Sequence, residues 1–420
     1  MGRDRMSGAI VAQGLWSGAS FFLAVGLARL LAPDAFGWFA VIIAAKQLAV
    51  MLLGALVLTP LTVLWGDRPT AEARPLLLHD SLRLVGRSGV GGLGVAVVIT
   101  AVTGWPAVEV GIFVLGGVIV ELQRRINFLQ GRAWPDVIGG GVMVGTALAI
   151  PAVLALADAP SVYQAVGALG LVQIVWVTAT GWRDWTRAFG DGNAMTAWGD
   201  LWRVGRWGLA SNAAGYAYSY ASLFLTLGLI GTTGVAVLEL AQQMVTPVQV
   251  VMLGMANVWH PVLARAAGVD HPRDFVRVLR RAVWVQTGVG AIVLVTLLVS
   301  GPSLVSLLVP GKETLYSGVP SVAWVLGLAV LGQLVWQHPS FAIVALGKPQ
   351  YGFATRLGTA ASVLPLGYLL TAHFGVMGAA WTRAIGEVMV ACLSVLILHE
   401  VLRSREQCVV MEPNPVGSVR

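Results

Sequence analysis

Charged residues are scarce in this 420-residue chain: Asp, Glu, Lys and Arg make up 11% of it, whereas hydrophobic residues make up 57%. A soluble domain carries about a quarter charged residues, which cover its surface. So few charges leave apolar surface that must face lipid. The composition therefore predicts a polytopic membrane protein. It argues against a nucleic-acid-binding protein, although the formal net charge is +7.

Cysteine is also rare, with Cys392 and Cys408 as the two examples, so we expect neither a disulfide framework nor a cysteine metal site. A phosphate-binding loop of the ATPase type is missing, because neither Gly-Lys pair, at 311 and 347, is followed by Ser or Thr. The chain contains no H-E-x-x-H, C-x-x-C or G-x-S-x-G motif, and its six histidines lie scattered. We therefore predict no enzymatic activity, no cofactor and no metal site.

Long apolar runs dominate what remains. A membrane-spanning helix needs about 20 mostly apolar residues. By this criterion we predict an all-α protein with about twelve transmembrane helices, which lie near residues 8–31, 36–58, 86–104, 107–129, 135–156, 161–181, 205–230, 234–262, 279–300, 319–342, 351–372 and 376–399.

The basic residues predict the orientation of these helices. Most of the 27 Lys and Arg residues fall in alternate connections, and Lys and Arg concentrate on the cytoplasmic side of membrane proteins. With the N-terminus inside, the arginines and lysines of the even-numbered connections and of both termini are cytoplasmic. We therefore predict a multi-pass protein of the cytoplasmic membrane with both termini inside.

The chain divides into two halves of six helices each. A charged connection in mid-chain predicts an N-terminal half at 1–190, a cytoplasmic linker at 191–204, a C-terminal half at 205–402 and a cytoplasmic tail at 403–420. Because six is even, both halves start on the same side and form parallel repeats. Such pseudo-symmetric halves typically surround a central substrate cavity.

Several ionisable residues lie inside the predicted spans, where they are costly and usually mark a pathway or a pair. Lys46 lies near the middle of the second span without an acidic neighbour on its own helix, which favours a hydrated cavity or an anionic ligand. Arg383 and Glu387 lie four residues apart on one helical face. That pair is equally explained as an internal salt bridge that stabilises packing.

Polar residues also follow helical stripes. In the segment 234–262 seven of them, Glu239, Gln242, Gln243, Thr246, Gln249, Asn257 and His260, fall within an arc of about 120°. Milder stripes run through Asn212 and Tyr216 and through Gln333 and Gln337. Hydrogen bonds between helices explain any single polar residue. A whole stripe is better explained by a hydrated cavity, whose many hydrogen-bonding groups suit a sugar-rich headgroup.

Four stretches of the chain resemble one family. Residues 26–40 read GLARLLAPDAFGWFA, residues 121–132 begin ELQRR and end GR, and LGKP at 346–349 precedes HFGVMGAA at 373–380. Together they resemble the polysaccharide transport (Wzx-type) flippases of the multidrug/oligosaccharidyl-lipid/polysaccharide exporter superfamily. The resemblance implies a flippase that carries a polyprenyl-pyrophosphate-linked oligosaccharide across the cytoplasmic membrane for cell-surface polysaccharide, by alternating access of two helix bundles.

The resemblance also implies roles for residues and partners. A cationic cavity of Lys46, Arg383 and Arg29 would hold the pyrophosphate, while the polar stripes solvate the glycan. The expected partners are the lipid-linked oligosaccharide, membrane lipid, and a polysaccharide polymerase with its export machinery. The predicted substrate-binding residues are Arg29, Lys46, Asn212, Tyr216, Glu239, Gln242, Gln243, Gln249, Gln333, Gln337, Arg383 and Glu387.

The seventh predicted helix departs from the family pattern, and two other functions remain as alternatives. Family members often carry a charged pair in the seventh helix, whereas residues 220–225 here read YASLFL, and Glu239 is the nearest substitute. The first alternative is a cation-coupled multidrug or metabolite exporter of the related branch. That branch typically has a carboxylate inside the first helix, where this chain offers Gln13, Ser17 and Ser20. A third hypothesis is an assembly partner of the polymerase that transports nothing itself.

Overall fold

The computed structural model describes residues 3–58, 60–61, 78–89, 93, 106–132, 134–157, 160–190, 198–267, 272–346 and 348–411. Within these ranges the regular secondary structure is helical, as predicted. The N-terminal half, residues 3–190, contains α1 (Arg3–Leu30), α2 (Pro33–Leu53) with a π-helical extension (Gly54–Leu58), α3 (78–89), α4 (Ala107–Leu129), α5 (Trp134–Leu154) and α6 (Val162–Gly190).

The C-terminal half, residues 198–411, begins with α7 (Trp198–Ser219) and α8 (Ala221–Leu229), which are separated by Tyr220. It continues with α9 (Thr232–Ala267), α10 (Pro272–Val299), the short α11 (Gly301–Leu308), α12 (Val319–Ala345) and α13 (Pro349–Met411). Of the predicted linker 191–204, residues 191–197 lie outside the described residues. Residues 198–204 belong to α7.

Eight helical stretches within the described ranges are long and apolar enough to cross a membrane. The last of them, residues 350–404, is 55 residues long, and at about 1.5 Å per residue it exceeds twice the thickness of a bilayer core. The backbone turns at Gly375, where φ is 61° and ψ is −140°. α13 therefore supplies two passes, as the predicted spans 351–372 and 376–399 require. Most of the predicted span 86–104 lies outside the described residues.

The two halves repeat the same helix pairings. In the N-terminal half α1 packs on α5, where Gly26 faces Pro151, and α4 packs on α6, where Gly170 faces Phe113. In the C-terminal half α8 packs on the first pass of α13, where Gly367 faces Leu225. α12 packs on the second pass of α13, where Gly332 faces Glu387. A glycine at each contact lets two helices approach closely in lipid. The pairing confirms the pseudo-symmetric architecture.

Four turns lie together at one end of the bundle, which we call the distal face: residues 31–32, residues 230–231, the loop 309–318 and Gly375. Leu31 contacts the loop 309–318 through Lys312, and Asp34 bonds to Thr232. Gly375 faces Ile230. Side chains from both halves fill one apolar core at this level, among them Phe36, Val235 and Tyr316. The orientation predicted from the basic residues would make the distal face the outer one.

Candidate functional site

A polar pocket of about 220 Å³ lies inside the N-terminal half, between α1, α2, α4 and α6. Its charged lining consists of Lys46, Glu121 and Arg124. Amides and hydroxyls complete the polar wall, among them Gln13 and Ser17 of α1. A mixed wall of this kind in an apolar bundle is suited to a small polar or charged group.

Lys46 is the cation of this pocket that has no partner. Its ammonium lies 4.6 Å from the centre of the Phe113 ring, and among the described residues it forms no hydrogen bond or ion pair. Gly117 makes room for it, because a Cβ at that position would stand 2.8 Å from the Cδ of Lys46. The sequence interpretation of Lys46 as a deep, unpaired cation therefore agrees with its surroundings.

The other two charges of the pocket neutralise each other. Arg124 donates to Glu121 at 3.0 Å and to the Oε1 of Gln13 at 2.9 Å. The Nε of Arg124 and the Oε1 of Gln173 are buried without a hydrogen-bond partner. Buried polar atoms without partners are uncommon and costly. The pocket thus keeps the single positive charge of Lys46.

A second polar arrangement lies in the C-terminal half, where three glutamines connect Arg383 to Glu387. Arg383 donates to the Oε1 of Gln242 at 2.7 Å, and the Nε2 of Gln242 donates to Gln249 at 3.3 Å. Gln249 then donates to Gln333 at 3.1 Å, and Gln333 donates to Glu387 at 2.7 Å. We call this series the amide chain. It joins α9, α12 and α13.

The charges at its two ends set the direction of the amide chain. An arginine can only donate and an ionised glutamate can only accept, so every amide between them points the same way. Trp336 occupies the second oxygen of Glu387 at 2.8 Å. Arg383 and Glu387 share a helical face, as predicted, but within the described residues they form no direct ion pair. The amide chain takes its place.

Two predicted glutamines and a glutamate lie beside the amide chain. Gln243 donates to Glu239 at 2.6 Å, one turn away on α9. Gln337 of α12 accepts a hydrogen bond at 2.8 Å from Gln286 of α10. Gln286 is fully buried, and its own Oε1 has no partner. The polar face predicted for α9 is therefore directed into the half, against α12 and α13.

Asn212 and Tyr216 of α7 connect the two halves. The side-chain amide of Asn212 donates to the carbonyl of Met51 at 3.2 Å, and the hydroxyl of Tyr216 donates to that of Ala44 at 2.8 Å. Both carbonyls belong to α2. Arg356 of α13 holds Asn212 in place by donating to its Oδ1 at 3.2 Å.

Arg29 lies at the distal face rather than beside Lys46 or Arg383. Its guanidinium donates to the carbonyls of Leu308 and Leu307, at 2.8 and 2.6 Å. The three cations predicted to form one site therefore occupy three environments: the distal face, the pocket of the N-terminal half and the amide chain.

Several contributors were not singled out by the sequence. Arg124 and Gln173 of the pocket, and Trp336 and Gln286 beside the amide chain, became apparent from the structure. In the sequence, Gln286 and Gln173 each lie in a largely apolar run, which weakly indicates that the side chain faces the protein interior and not lipid. Arg356, near the start of the predicted span 351–372, is a further contributor that became apparent from the structure.

The MatE family model matches residues 209–369, a stretch shorter than half of the chain. No curated protein sequence matches. Among solved structures, an inward-facing multidrug resistance MATE family transporter of the MOP superfamily is 16% identical, with a TM-score of 0.73 over 95% of this chain and 99% of that chain.

Two further solved structures widen the comparison. The lipid II flippase MurJ, in an inward closed conformation, is 9% identical, with a TM-score of 0.73 over 96% of this chain and 90% of that chain. A MOP superfamily transporter from Pyrococcus furiosus, described as having a binding pocket of reverse polarity, is 15% identical, with a TM-score of 0.67 over 96% of both chains. At these identities the likeness establishes the fold that all three share with this chain.

Proposed function

We propose that this protein is a flippase that translocates a polyprenyl-pyrophosphate-linked oligosaccharide across the cytoplasmic membrane for cell-surface polysaccharide biosynthesis. The two halves would expose a shared site alternately to either side, while the lipid tail stays in the bilayer. The observation that carries the proposal is Lys46, whose ammonium forms no hydrogen bond or ion pair with the described residues and lies in a polar pocket of the N-terminal half.

An unpaired charge in a low-dielectric interior costs several kcal/mol unless a counter-charge binds. The pocket offers Lys46 as that charge and the side-chain amides and hydroxyls of its wall as further donors. A phosphate group is the counter-charge that such donors suit, because its oxygens accept several charge-assisted hydrogen bonds. The pocket is too small for a glycan, so it would hold the pyrophosphate alone.

The C-terminal half supports the glycan part of the proposal. The amide chain offers side-chain amides that both donate and accept, and sugar hydroxyls have the same capacity. Gln243 and Gln337 flank the amide chain and would extend the polar surface. Arg383 would keep the chain oriented, while Arg29 would act at the distal face instead of on the cargo.

The similar structures support a transport function, and their descriptions name two classes of cargo: a lipid-linked one for the flippase and drugs for the multidrug transporters. The description of MurJ names a lipid-linked cargo, and the other MOP transporter is described by the reversed polarity of its pocket. The pocket here carries a cation. We propose the same inner-membrane location and cytoplasmic termini that the basic residues predict, with the polymerase and export machinery as partners that receive the cargo.

The alternative function is a cation-coupled multidrug exporter. The match to the MatE family model and the multidrug transporter favour it, and Glu239 is a partly buried carboxylate that a coupling proton could occupy. The positive pocket argues against cationic drugs as cargo, because Lys46 would repel them.

Deletion of the gene in its host separates the two functions. A flippase mutant should lose surface polysaccharide and accumulate lipid-linked units on the inner leaflet, and plasmid-borne Lys46→Arg should restore export better than Lys46→Met. Unchanged polysaccharide together with increased drug sensitivity would instead establish the exporter.

A further inference from the structure

Arg29 stands in the last turn of α1 and reaches across to the other half. It donates to the carbonyls of Leu307 and Leu308, which close α11. The last carbonyls of a helix have no partner within the helix, and the negative end of the helix dipole attracts a cation. Arg29 therefore caps a helix that follows it by almost 280 residues in the chain.

Lys312 makes the opposite connection. It lies in the loop 309–318 after α11, and its ammonium donates to the carbonyls of Leu31 at 2.7 Å and Ala28 at 3.2 Å. Ala28 lies in the last turn of α1, and Leu31 directly follows that helix. Partial burial lowers the pKa of Lys312 below its ordinary value, as expected for an ammonium taken out of water.

The two contacts are reciprocal. Arg29 of the N-terminal half caps α11 of the C-terminal half. Lys312 of the C-terminal half caps α1, the helix that carries Arg29. All four acceptors are backbone carbonyls, so neither contact needs a particular side chain on the other half.

The loop 309–318 is shaped so that it presents Lys312. Gly311 has a φ of 78°, which favours glycine, and its N–H donates to the carboxylate of Glu313 at 3.0 Å. Tyr316 is fully buried beneath the loop. These contacts fix the backbone on both sides of Lys312.

A third contact between the halves lies beside this pair. The hydroxyl of Thr232, at the start of α9, donates to the carboxylate of Asp34 at the start of α2. Gly37 on the next turn of α2 lies directly against the carbonyl of Thr232, which leaves no room for a Cβ. The halves are therefore in close contact across the distal face.

We propose that Arg29 and Lys312 form a two-way latch that holds the halves together at the distal face and must release before cargo can leave on that side. When the latch opens, each cation replaces its hydrogen bonds to backbone carbonyls by hydrogen bonds to water. The free-energy cost of opening is therefore small enough for the latch to open and close reversibly. The inference rests on the proposed transport by alternation of the two halves, but its test needs no cargo.

The test measures the distance across the distal face. In a background of Cys392→Ser and Cys408→Ser, spin labels are placed through Ala157→Cys, in the turn after α5, and Ser317→Cys; both positions are exposed and belong to different halves. Double electron–electron resonance on the full chain in lipid nanodiscs then gives the populations of short and long distances.

Arg29→Gln combined with Lys312→Gln should raise the ratio of the long-distance to the short-distance population by about 5- to 30-fold, the effect of two lost caps of helix termini. Arg29→Lys with Lys312→Arg keeps both cations and should stay near the parent. Lys348→Gln, an exposed lysine between α12 and α13 at the other end of the bundle, is the matched control.

An unchanged distance distribution in the folded double variant would overturn the latch. If the double variant does not purify as a folded protein, the single variants replace it, because each leaves one direction of the latch intact and should produce part of the shift. A failed latch would leave the cargo question open, since cargo is identified separately by the gene deletion.

Discussion

Replacing Lys46 by methionine should change stability and binding in opposite directions. The ammonium of Lys46 has no hydrogen-bond or ion-pair partner in the described residues; it lies 4.6 Å from the centre of the Phe113 ring and shares its pocket with the carboxylate of Glu121. The side chain of methionine fills a similar volume without a charge. The substitution therefore removes the cost of the unpaired charge and also removes the group that would bind an anion.

The magnitude follows from two opposing contributions. A buried charge without a partner costs several kcal/mol, of which a desolvated cation–π contact returns about 0.5–2 kcal/mol and water in the pocket returns more. We expect a net gain of about 1–2 kcal/mol in the free energy of unfolding. For a folding unit of about 200 residues this corresponds to a rise in Tm of about 2–8 °C.

Binding should weaken in the same variant. A hydrogen bond to a charged group contributes about 1.5–3 kcal/mol, so Lys46→Met should weaken the binding of a polyprenyl-pyrophosphate-linked sugar by about 10- to 100-fold. The assays are thermal unfolding by intrinsic fluorescence without ligand, and titration of the purified protein with the lipid. Lys348→Met, at an exposed position, is the control for both.

A lower Tm in Lys46→Met would contradict an uncompensated charge, because it would mean that the lysine has a stabilising partner. Unchanged affinity for the lipid would show that the pocket is not the pyrophosphate site.

Two further predictions concern the C-terminal half. Gln333→Leu interrupts the amide chain and leaves one donor and one carboxylate oxygen unpaired, so it should lower the free energy of unfolding by about 2–5 kcal/mol; a Tm equal to that of the exposed control Gln350→Leu would disprove the amide chain. Glu239→Gln mimics a permanently protonated carboxylate and should abolish the pH dependence of transport if a proton occupies this site during the cycle. Full activity with the parent's pH profile would exclude Glu239 as the coupling group.

The helices were largely predictable because apolar length is a local property. The span predicted at 107–129 coincides with α4. α11 was not predicted, because its eight residues are too few for a membrane span. Gly141 and Gly145 have the GxxxG spacing that is typical of close helix packing, but both glycines face open space. Gly140 is the residue that packs against Leu15. Spacing alone does not tell which face of a helix meets its neighbour.

The polar contacts were predictable only in part. The stripe on α9 indicated which face is polar, and the separation of four residues placed Arg383 and Glu387 side by side. The sequence could not show that Gln333, from another helix, completes their connection. The family resemblance implied that Arg29 binds cargo, whereas its contact with α11 depends on how the two halves meet. A local sequence pattern cannot indicate contacts between residues that lie far apart in the chain, such as those between the two halves.

Transbilayer movement of the cargo in proteoliposomes tests the central claim most directly. A fluorescent polyprenyl-pyrophosphate-linked oligosaccharide is incorporated into vesicles that contain the purified protein, and a membrane-impermeant quencher reports the fraction in the outer leaflet over time. We expect the protein to accelerate this movement and Lys46→Met to abolish most of the acceleration. Movement no faster than in protein-free vesicles, with efflux of drugs from the same preparation, would contradict the flippase function.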